Sequence, residues 1–174
     1  NLFIRADIIE KKGRIINLYE VKAKSFSGNG SSDMLTKKGY LDAGWHDYLY
    51  DVAFQKFVIG MVYQDCTVRA HLILADKNVM ATVNGLNQKF QLKKVEDDRT
   101  FVEVVGGTTK AELGEEVLIR VNVDDVVQMI WDGEDSNEMP AKSFEENIRY
   151  LSEKYEHDEK ILTPINKNCK ECEF

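Results

Sequence analysis

A long apolar stretch, HDYLYDVAFQKFVIGMVYQ at residues 46–64, constrains the fold more than any other feature of the sequence. It contains no proline, and apolar residues occupy most sides of the helix that it would form, which is typical of a helix buried on several sides. Such a helix must pack against other elements. The next stretch, VRAHLILA at residues 68–75, is mostly apolar and predicts a buried strand.

A strand hairpin is predicted before this helix. Two runs rich in β-branched residues flank residues 11–14, and a Lys-Gly pair lies at the centre of the turn. With Lys12 and Gly13 as the turn residues, Asp7 lies opposite Leu18. The resulting order of strand, strand, helix and strand allows the last strand to run parallel to a hairpin strand through a right-handed crossover.

Three polar side chains, Asp7, Glu20 and Lys22, share one face of this hairpin because side chains alternate along a strand. Two neighbouring carboxylates repel each other unless a proton or a cation lies between them. Mg²⁺ binds carboxylate oxygens, and a nearby lysine can polarise an attacking water or stabilise charge on a phosphate. The spacing therefore fits a metal-dependent phosphodiesterase site, and it also fits ordinary solvated ion pairs.

The polar residues of the apolar helix form one stripe. Asp47, Asp51 and Gln55 follow each other at intervals of four residues. The stripe lies on a helix that is apolar on most other sides and is expected to be buried. Asp51 could join Gln55 in a site or form a salt bridge on the helix surface, and the sequence leaves both alternatives open.

Composition excludes several classes of protein. A hydrophobic content of 43% and a charged content of 30% are those of a soluble globular chain. With no uninterrupted run of 18 apolar residues and no apolar leader, we expect neither a membrane span nor a signal peptide. Three cysteines do not form a secreted disulfide framework, so a cytoplasmic protein is expected.

The charge distribution is uneven. The net charge of −7 argues against extensive phosphate contacts, which depend on Lys and Arg. Residues 1–60, however, hold nine Lys or Arg and seven Asp or Glu, a net charge of +2. The segment with the candidate site is therefore compatible with phosphate binding.

Three segments are predicted along the chain. Residues 1–75 form the strand and helix core, and the opening at Asn1 within a strand predicts that an N-terminal part is missing. Residues 76–135 form a β-rich accessory segment, since its runs alternate like strands around Asn-Gly and Gly-Gly turns. Residues 136–174 contain a helix and an irregular tail that includes two cysteines.

The helix of the third segment begins with the capping box of Ser143 and Glu146. Its apolar residues fall on one face, which we expect to pack on the core; they are Phe144, Ile148, Leu151 and Tyr155.

The blocks RADII, LYEVKAK and DVAFQKFV resemble, in this order, the PD-(D/E)XK nuclease superfamily, and most of all its RecB-like exonuclease branch. The AFQ block is similar to an uncharacterised bacterial group of RecB-like domains. The resemblance implies that Asp7 and Glu20 are metal ligands. It also implies that Lys22 is the catalytic lysine and that Gln55 orients the site. The family motif usually continues to a Tyr four residues after the Gln, where this chain has Ile59.

The resemblance implies a fold and an activity as well. The fold is a restriction-endonuclease-like α/β core, in which helices flank a mixed β-sheet. The activity is Mg²⁺- or Mn²⁺-dependent hydrolysis of DNA phosphodiester bonds, most similar to that of an exonuclease, with DNA as the nucleic-acid partner.

The same resemblance implies a role for the C-terminal cysteines, because RecB-like proteins often bind an iron–sulfur cluster through cysteines at this end of the chain. Cys169 and Cys172 lie in a C-x-x-C motif within NCKECEF. They supply only two of the four ligands that a [4Fe–4S] cluster or a structural zinc requires. The cluster is therefore expected only in a full-length protein, and Cys66 is expected to be a small buried apolar residue.

Two other functions stay open. The first is a catalytically inactive PD-(D/E)XK-fold domain that binds nucleic acid or contributes to an assembly. The second is a metal-binding interaction module built on Cys169 and Cys172.

Overall fold

The computed structural model describes residues 2–94, 100–136 and 143–162. Short 3₁₀ turns occupy Ser31–Met34, Leu86–Lys89 and Lys110–Leu113. The strands and longer helices follow in the order β1 (Ile8–Lys12), β2 (Ile15–Phe26), α1 (His46–Val62), β3 (Thr67–Asp76), β4 (Phe90–Lys94), β5 (Thr100–Val104), β6 (Leu118–Asn122), α2 (Asp124–Asp132) and α3 (Phe144–Glu156).

The central sheet is mixed and has four strands in the order β1-β2-β3-β6. β1 pairs antiparallel with β2, β2 pairs parallel with β3, and β3 pairs antiparallel with β6. Because β2 and β3 are parallel, the chain must cross from one end of the sheet to the other, and α1 lies in that crossover. The predicted order of strand, strand, helix and parallel strand is confirmed, as is the mixed α/β class.

The predicted turn of the hairpin is wrong by one residue. Lys12 pairs with Ile15, so the turn residues are Gly13 and Arg14. Gly13 has a φ of +58°, which glycine adopts at little cost and which the first position of a II′ hairpin turn requires. The shifted register pairs Leu18 with Ile9 instead of Asp7.

Alternation along β2 and β3 builds the core. Alternate side chains of these strands, from Ile16 to Glu20 on β2 and from Val68 to Leu74 on β3, point toward α1 and are buried, while the side chains between them lie on the opposite face. α1 contributes its own buried residues to the same cluster. The residues at the centre of this cluster include Ile16, Leu18, Leu49, Val52, Ala70, Leu72 and Leu74.

The predicted accessory segment, residues 76–135, contributes to two parts of the fold. β4 and β5 pair with each other in a separate sheet of two strands, and all their residues are exposed. β6 instead extends the central sheet, and α2 packs against α1. The sequence of residues 114–133, GEEVLIRVNVDDVVQMIWDG, mixes strand and helix signals because a strand and a helix follow each other there with only Val123 between them.

Asp124, the first residue of α2, connects three elements. Its Oδ1 accepts hydrogen bonds from the Ala70 backbone nitrogen at 2.8 Å and from Lys56 Nζ at 2.7 Å. Burial alone raises the pKa of Asp124, but the bonds from Lys56, Ala70 and Asn122 outweigh burial and hold the pKa below its usual range. The carboxylate therefore fixes α2 against β3 and α1.

The prediction for α3 holds in part. The capping box of Ser143 and Glu146 is confirmed. Phe144 packs on the partly buried aromatic side chains beside the core, but Leu151 is 54% exposed and Tyr155 is 91% exposed. Phe144 and Ile148 are thus half-buried, and the later part of the predicted apolar face is exposed. No helix in the described ranges combines the length and apolar character needed to cross a membrane.

Candidate active site between β2 and α1

Two buried polar side chains mark the candidate site. Glu20 on β2 is 6% exposed and Gln55 on α1 is 3% exposed. Glu20 follows Ile16 and Leu18 on the face of β2 that packs against α1, so the alternation of the strand carries it into the core. Buried polar groups without partners are costly, and the hydrogen bonds of these two side chains therefore decide whether the site is stable.

Glu20, Lys22, Asp51 and Gln55 form a closed hydrogen-bonded ring, called the polar ring below. Lys22 Nζ donates to Glu20 Oε1 at 2.6 Å and to Asp51 Oδ2 at 2.8 Å. Gln55 Nε2 donates to Glu20 Oε2 and to Asp51 Oδ1, at 3.0 Å in both cases. Each carboxylate oxygen accepts one of these bonds, so one ammonium and one amide hold two carboxylates together.

Lys22 lies where β2 departs from regular pairing. The register between β2 and β3 shifts between Val21 and Ser25. Such irregularities bend a strand and change the direction of its side chains. The Lys22 side chain is 19% exposed, so it lies at the boundary between the core and solvent.

Asp51 is the member of the polar ring that the sequence left undecided. It lies one helical turn before Gln55, on the same stripe of α1. The structure brings it to Lys22 on β2, so its salt bridge joins the helix to the strand. Asp47, one turn earlier, is outside the polar ring, and its almost fully exposed carboxylate contacts His46.

The charges of the polar ring stabilise each other. Burial alone lowers the pKa of Lys22, but its hydrogen bonds to Asp51 and Glu20 outweigh burial and raise that pKa above its ordinary value. Burial alone raises the pKa of Asp51, yet the bonds from Gln55 and Lys22 hold that pKa below its ordinary value. Lys22 is therefore a cation and Asp51 an anion at neutral pH.

One atom of the polar ring lacks a partner. Gln55 Oε1 is buried and accepts no hydrogen bond from any described residue, because the amide nitrogen serves both carboxylates. A buried polar atom without a partner costs roughly 1–3 kcal/mol. Carboxylate and amide oxygens are hard ligands of the kind that Mg²⁺ and Mn²⁺ prefer, so the chemistry of this part of the site fits a divalent cation.

Asp7 lies beside the polar ring rather than within it. Continuing the pairing of β1 with β2 by one residue places Asp7 opposite Glu20. The exposed carboxylate of Asp7 accepts a hydrogen bond from the Val21 backbone nitrogen at 2.9 Å, which satisfies a donor just beyond the end of the pairing. Asp7 and Glu20 are thus neighbours across the hairpin, but no direct bond links Asp7 to the polar ring in the described chain.

Lysines and aromatic rings extend the site along β2. Lys24 follows Lys22 on the same face, donates to the Gly44 carbonyl at 2.8 Å and lies 4.6 Å from the centre of the Trp45 ring. Lys22 and Lys24 also lie 5.6 and 5.4 Å from the centre of the Tyr48 ring. These distances allow cation–π attraction, which favours a second positive charge, that of Lys24, next to the polar ring.

The predicted cysteine ligands, Cys169 and Cys172, lie outside the described residues. Cys66 is a free thiol that packs against the core as predicted, but it is half-buried instead of buried. Within the described ranges, no three or more His, Cys, Asp or Glu side chains are grouped closely enough to hold a metal ion. Among the described residues, a cation at this site would therefore have at most two carboxylate ligands and would complete its coordination with water, as Mg²⁺ usually does.

Two cavities of the described chain lie away from the polar ring. A cavity of about 750 Å³ and another of about 570 Å³ flank α3, and both are lined by Leu2, Ile148 and Ser152. No residue of the polar ring lines either cavity.

Comparisons with known proteins found no match. No family model matches the chain, and no curated protein or solved structure matches it significantly.

Proposed function

We propose that the chain is a Mg²⁺- or Mn²⁺-dependent nuclease domain of the PD-(D/E)XK superfamily, related to the RecB-like exonucleases, which hydrolyses phosphodiester bonds of DNA. One observation carries the proposal: Glu20 and Lys22 of β2 meet Gln55 of α1 in the polar ring. The hairpin, the helix and the parallel strand around them have the order expected of a restriction-endonuclease-like core.

The proposed roles follow from the chemistry of each side chain. Asp7 and Glu20 would hold the divalent cation. Bound Mg²⁺ would polarise a phosphate oxygen and lower the pKa of an attacking water. Lys22 would stabilise negative charge on the phosphate, because its ammonium stays protonated and lies at the edge of the core. Gln55 would orient Glu20, to which its amide donates.

DNA as the substrate is supported by the charge around the site. Lys22 and Lys24 lie on one face of β2, and residues 1–60 carry a net charge of +2 although the whole chain carries −7. Basic residues near an acidic metal site allow a polyanion to approach carboxylates that would otherwise repel it. An exonuclease is the preferred form of the activity because of the RecB-like resemblance.

The cysteine tail belongs to the same proposal. Cys169 and Cys172 would supply half of a four-thiolate set, and the remaining ligands of a [4Fe–4S] cluster would come from another part of a full-length protein. The cluster would support the fold, and phosphodiester hydrolysis at the polar ring would not use it.

A nuclease assay tests the proposal. Linear and closed circular double-stranded DNA are incubated with the chain and Mn²⁺, with and without EDTA. We expect cleavage that EDTA abolishes, and cleavage of linear DNA alone would indicate an exonuclease. Lys22→Ala should lower the rate by about 10²-fold or more, the scale for loss of one electrostatic stabiliser. Lys12→Ala, a change at a lysine with a 72% exposed side chain, is the matched control and should leave the rate unchanged.

A specific observation also favours the second candidate, an inactive PD-(D/E)XK-fold domain that binds nucleic acid or contributes to an assembly. All four carboxylate oxygens of the polar ring already accept a hydrogen bond, and Lys22 already contacts two anions. A buried network in which every carboxylate oxygen has a hydrogen-bond donor can stabilise the fold without having a catalytic role. DNA binding in a gel-shift measurement, with no cleavage in the nuclease assay, would support this candidate.

A further inference from the structure

Asp51 has no role in the proposed nuclease mechanism, yet it contacts both Lys22 and Gln55. We propose that Asp51 is a positioning residue, which shares the Lys22 ammonium with Glu20 and thereby leaves Glu20 able to take a divalent cation. This inference rests on the proposed function for the identity of the cation.

The first step is a competition for Glu20. Lys22 Nζ lies 2.6 Å from Glu20 Oε1, so an ammonium already interacts with the carboxylate that would hold the metal. Two cations at one carboxylate repel each other. If Glu20 were the sole anionic partner of Lys22, the ammonium would stay at Glu20, and its positive charge would weaken the binding of a divalent cation to that carboxylate.

The second step is that Asp51 offers Lys22 another anion at a similar distance. Lys22 Nζ lies 2.8 Å from Asp51 Oδ2. The Asp51 side chain is 41% exposed and that of Glu20 is 8% exposed, so Asp51 lies on the outer side of the ammonium. Lysine has a flexible stem and three donors. Lys22 can therefore stay bonded to Asp51 while its contact with Glu20 lengthens.

The third step is that Asp51 is itself held in place. Gln55 Nε2 donates to Asp51 Oδ1 at 3.0 Å, which directs the other oxygen of this carboxylate toward Lys22. The same nitrogen donates to Glu20. Gln55 thus keeps the two anionic partners of Lys22 at a fixed separation.

Calorimetric titration with Mn²⁺ of the wild type, Asp51→Asn, Lys22→Met and the double variant tests the inference. Asparagine keeps an oxygen for Gln55 but removes the charge that holds Lys22. We expect Asp51→Asn to weaken Mn²⁺ binding about tenfold, or about 1.4 kcal/mol. The double variant should bind as tightly as Lys22→Met, because the competing ammonium is gone. Asp51→Glu, which keeps the charge, should bind nearly as the wild type does.

The other outcomes are distinct. An equal loss of affinity from Asp51→Asn with and without Lys22 would make Asp51 a metal ligand and overturn the positioning role. Unchanged affinity in Asp51→Asn, with Mn²⁺ bound by the wild type, would overturn this inference and leave the nuclease proposal intact. No Mn²⁺ binding by either the wild type or Lys22→Met would overturn both. Thermal unfolding of each variant, with Asp47→Asn as the exposed control, shows that the protein titrated is folded.

Discussion

The side-chain amide of Gln55 donates to the Glu20 carboxylate at 3.0 Å inside the core, and this bond joins α1 to β2 across 35 positions of sequence. The same nitrogen donates to Asp51, one turn earlier on the helix. One neutral side chain thus orients two carboxylates, and each prediction about the site depends on that arrangement.

Gln55→Met is expected to lower the free energy of unfolding by roughly 1–3 kcal/mol, because two carboxylate oxygens each lose a donor. Loss of the unpartnered Oε1 offsets part of this cost. Urea unfolding measures the change. Gln128→Met is the matched control, since Gln128 is exposed and its side chain donates to Asp132 on its own helix. Equal effects of the two substitutions would show that Gln55 does not hold the site together.

Asp7→Asn tests whether the Asp7 carboxylate is a metal ligand or only the structural acceptor of the Val21 N–H bond. Asparagine keeps an oxygen that can accept the Val21 N–H bond, and it removes a negative charge from the neighbourhood of Glu20. We therefore expect unchanged or higher stability without metal and weaker Mn²⁺ binding. Calorimetry and thermal unfolding measure the two quantities. Unchanged Mn²⁺ affinity would show that Asp7 is not a ligand.

The contribution of Asp51 to stability should depend on pH. The pKa of Asp51 is lowered in the folded protein, so its stabilising effect is present above the unfolded pKa of about 3.9. That effect is lost as the pH falls through the lower folded pKa. The pKa of Lys22 is raised, so its effect is present below about 10.4 and is lost as the pH rises through the higher folded pKa.

Urea unfolding at several pH values measures this dependence. The stability difference between the wild type and Asp51→Asn should therefore be largest between pH about 4 and about 10 and should shrink on either side. A difference that is constant from acid to alkaline pH would contradict a charge-dependent bond. Asp47→Asn, at a carboxylate with a 97% exposed side chain, is the control.

Asp124→Ala is expected to destabilise the fold by roughly 1–3 kcal/mol, because it leaves the Ala70 N–H and the Lys56 ammonium without their acceptor. Thermal unfolding measures the effect, which corresponds to about 2–4 °C for each kcal/mol in a domain of this size. Asp125→Ala is the control, since Asp125 is the next residue of the same helix and is exposed. Similar shifts for both variants would refute the role of Asp124 in fixing α2.

Local sequence patterns accounted for the elements near the site. The apolar stretch that predicts a buried helix became α1, and the alternating runs before it became the hairpin. The hairpin register was wrong by two positions because a flexible Gly13 can occupy either place in a two-residue turn. Asp7, Glu20 and Lys22 were nevertheless predicted correctly to share one face, since a register shift of two residues preserves the alternation of side chains.

Tertiary packing decided what local patterns could not. From the sequence alone, Asp51 fitted a functional site and a surface salt bridge equally well. The spacing of polar residues along a helix shows that they share one side of it, but it does not show which other element that side contacts. The parallel pairing of β2 with β3 carries α1 over Glu20, and this placement brings Lys22 to Asp51.

The positions of β6 and α2 were likewise not predictable from local patterns, although the sequence of residues 114–133 showed strand and helix signals. Their places beside β3 and α1 depend on long-range contacts, such as the bonds of Asp124 to Ala70 and Lys56. Periodicity along the chain thus determined which residues share a face of an element. The packing of distant elements determined which of those faces meet, because apolar burial drives that packing and has no direction of its own.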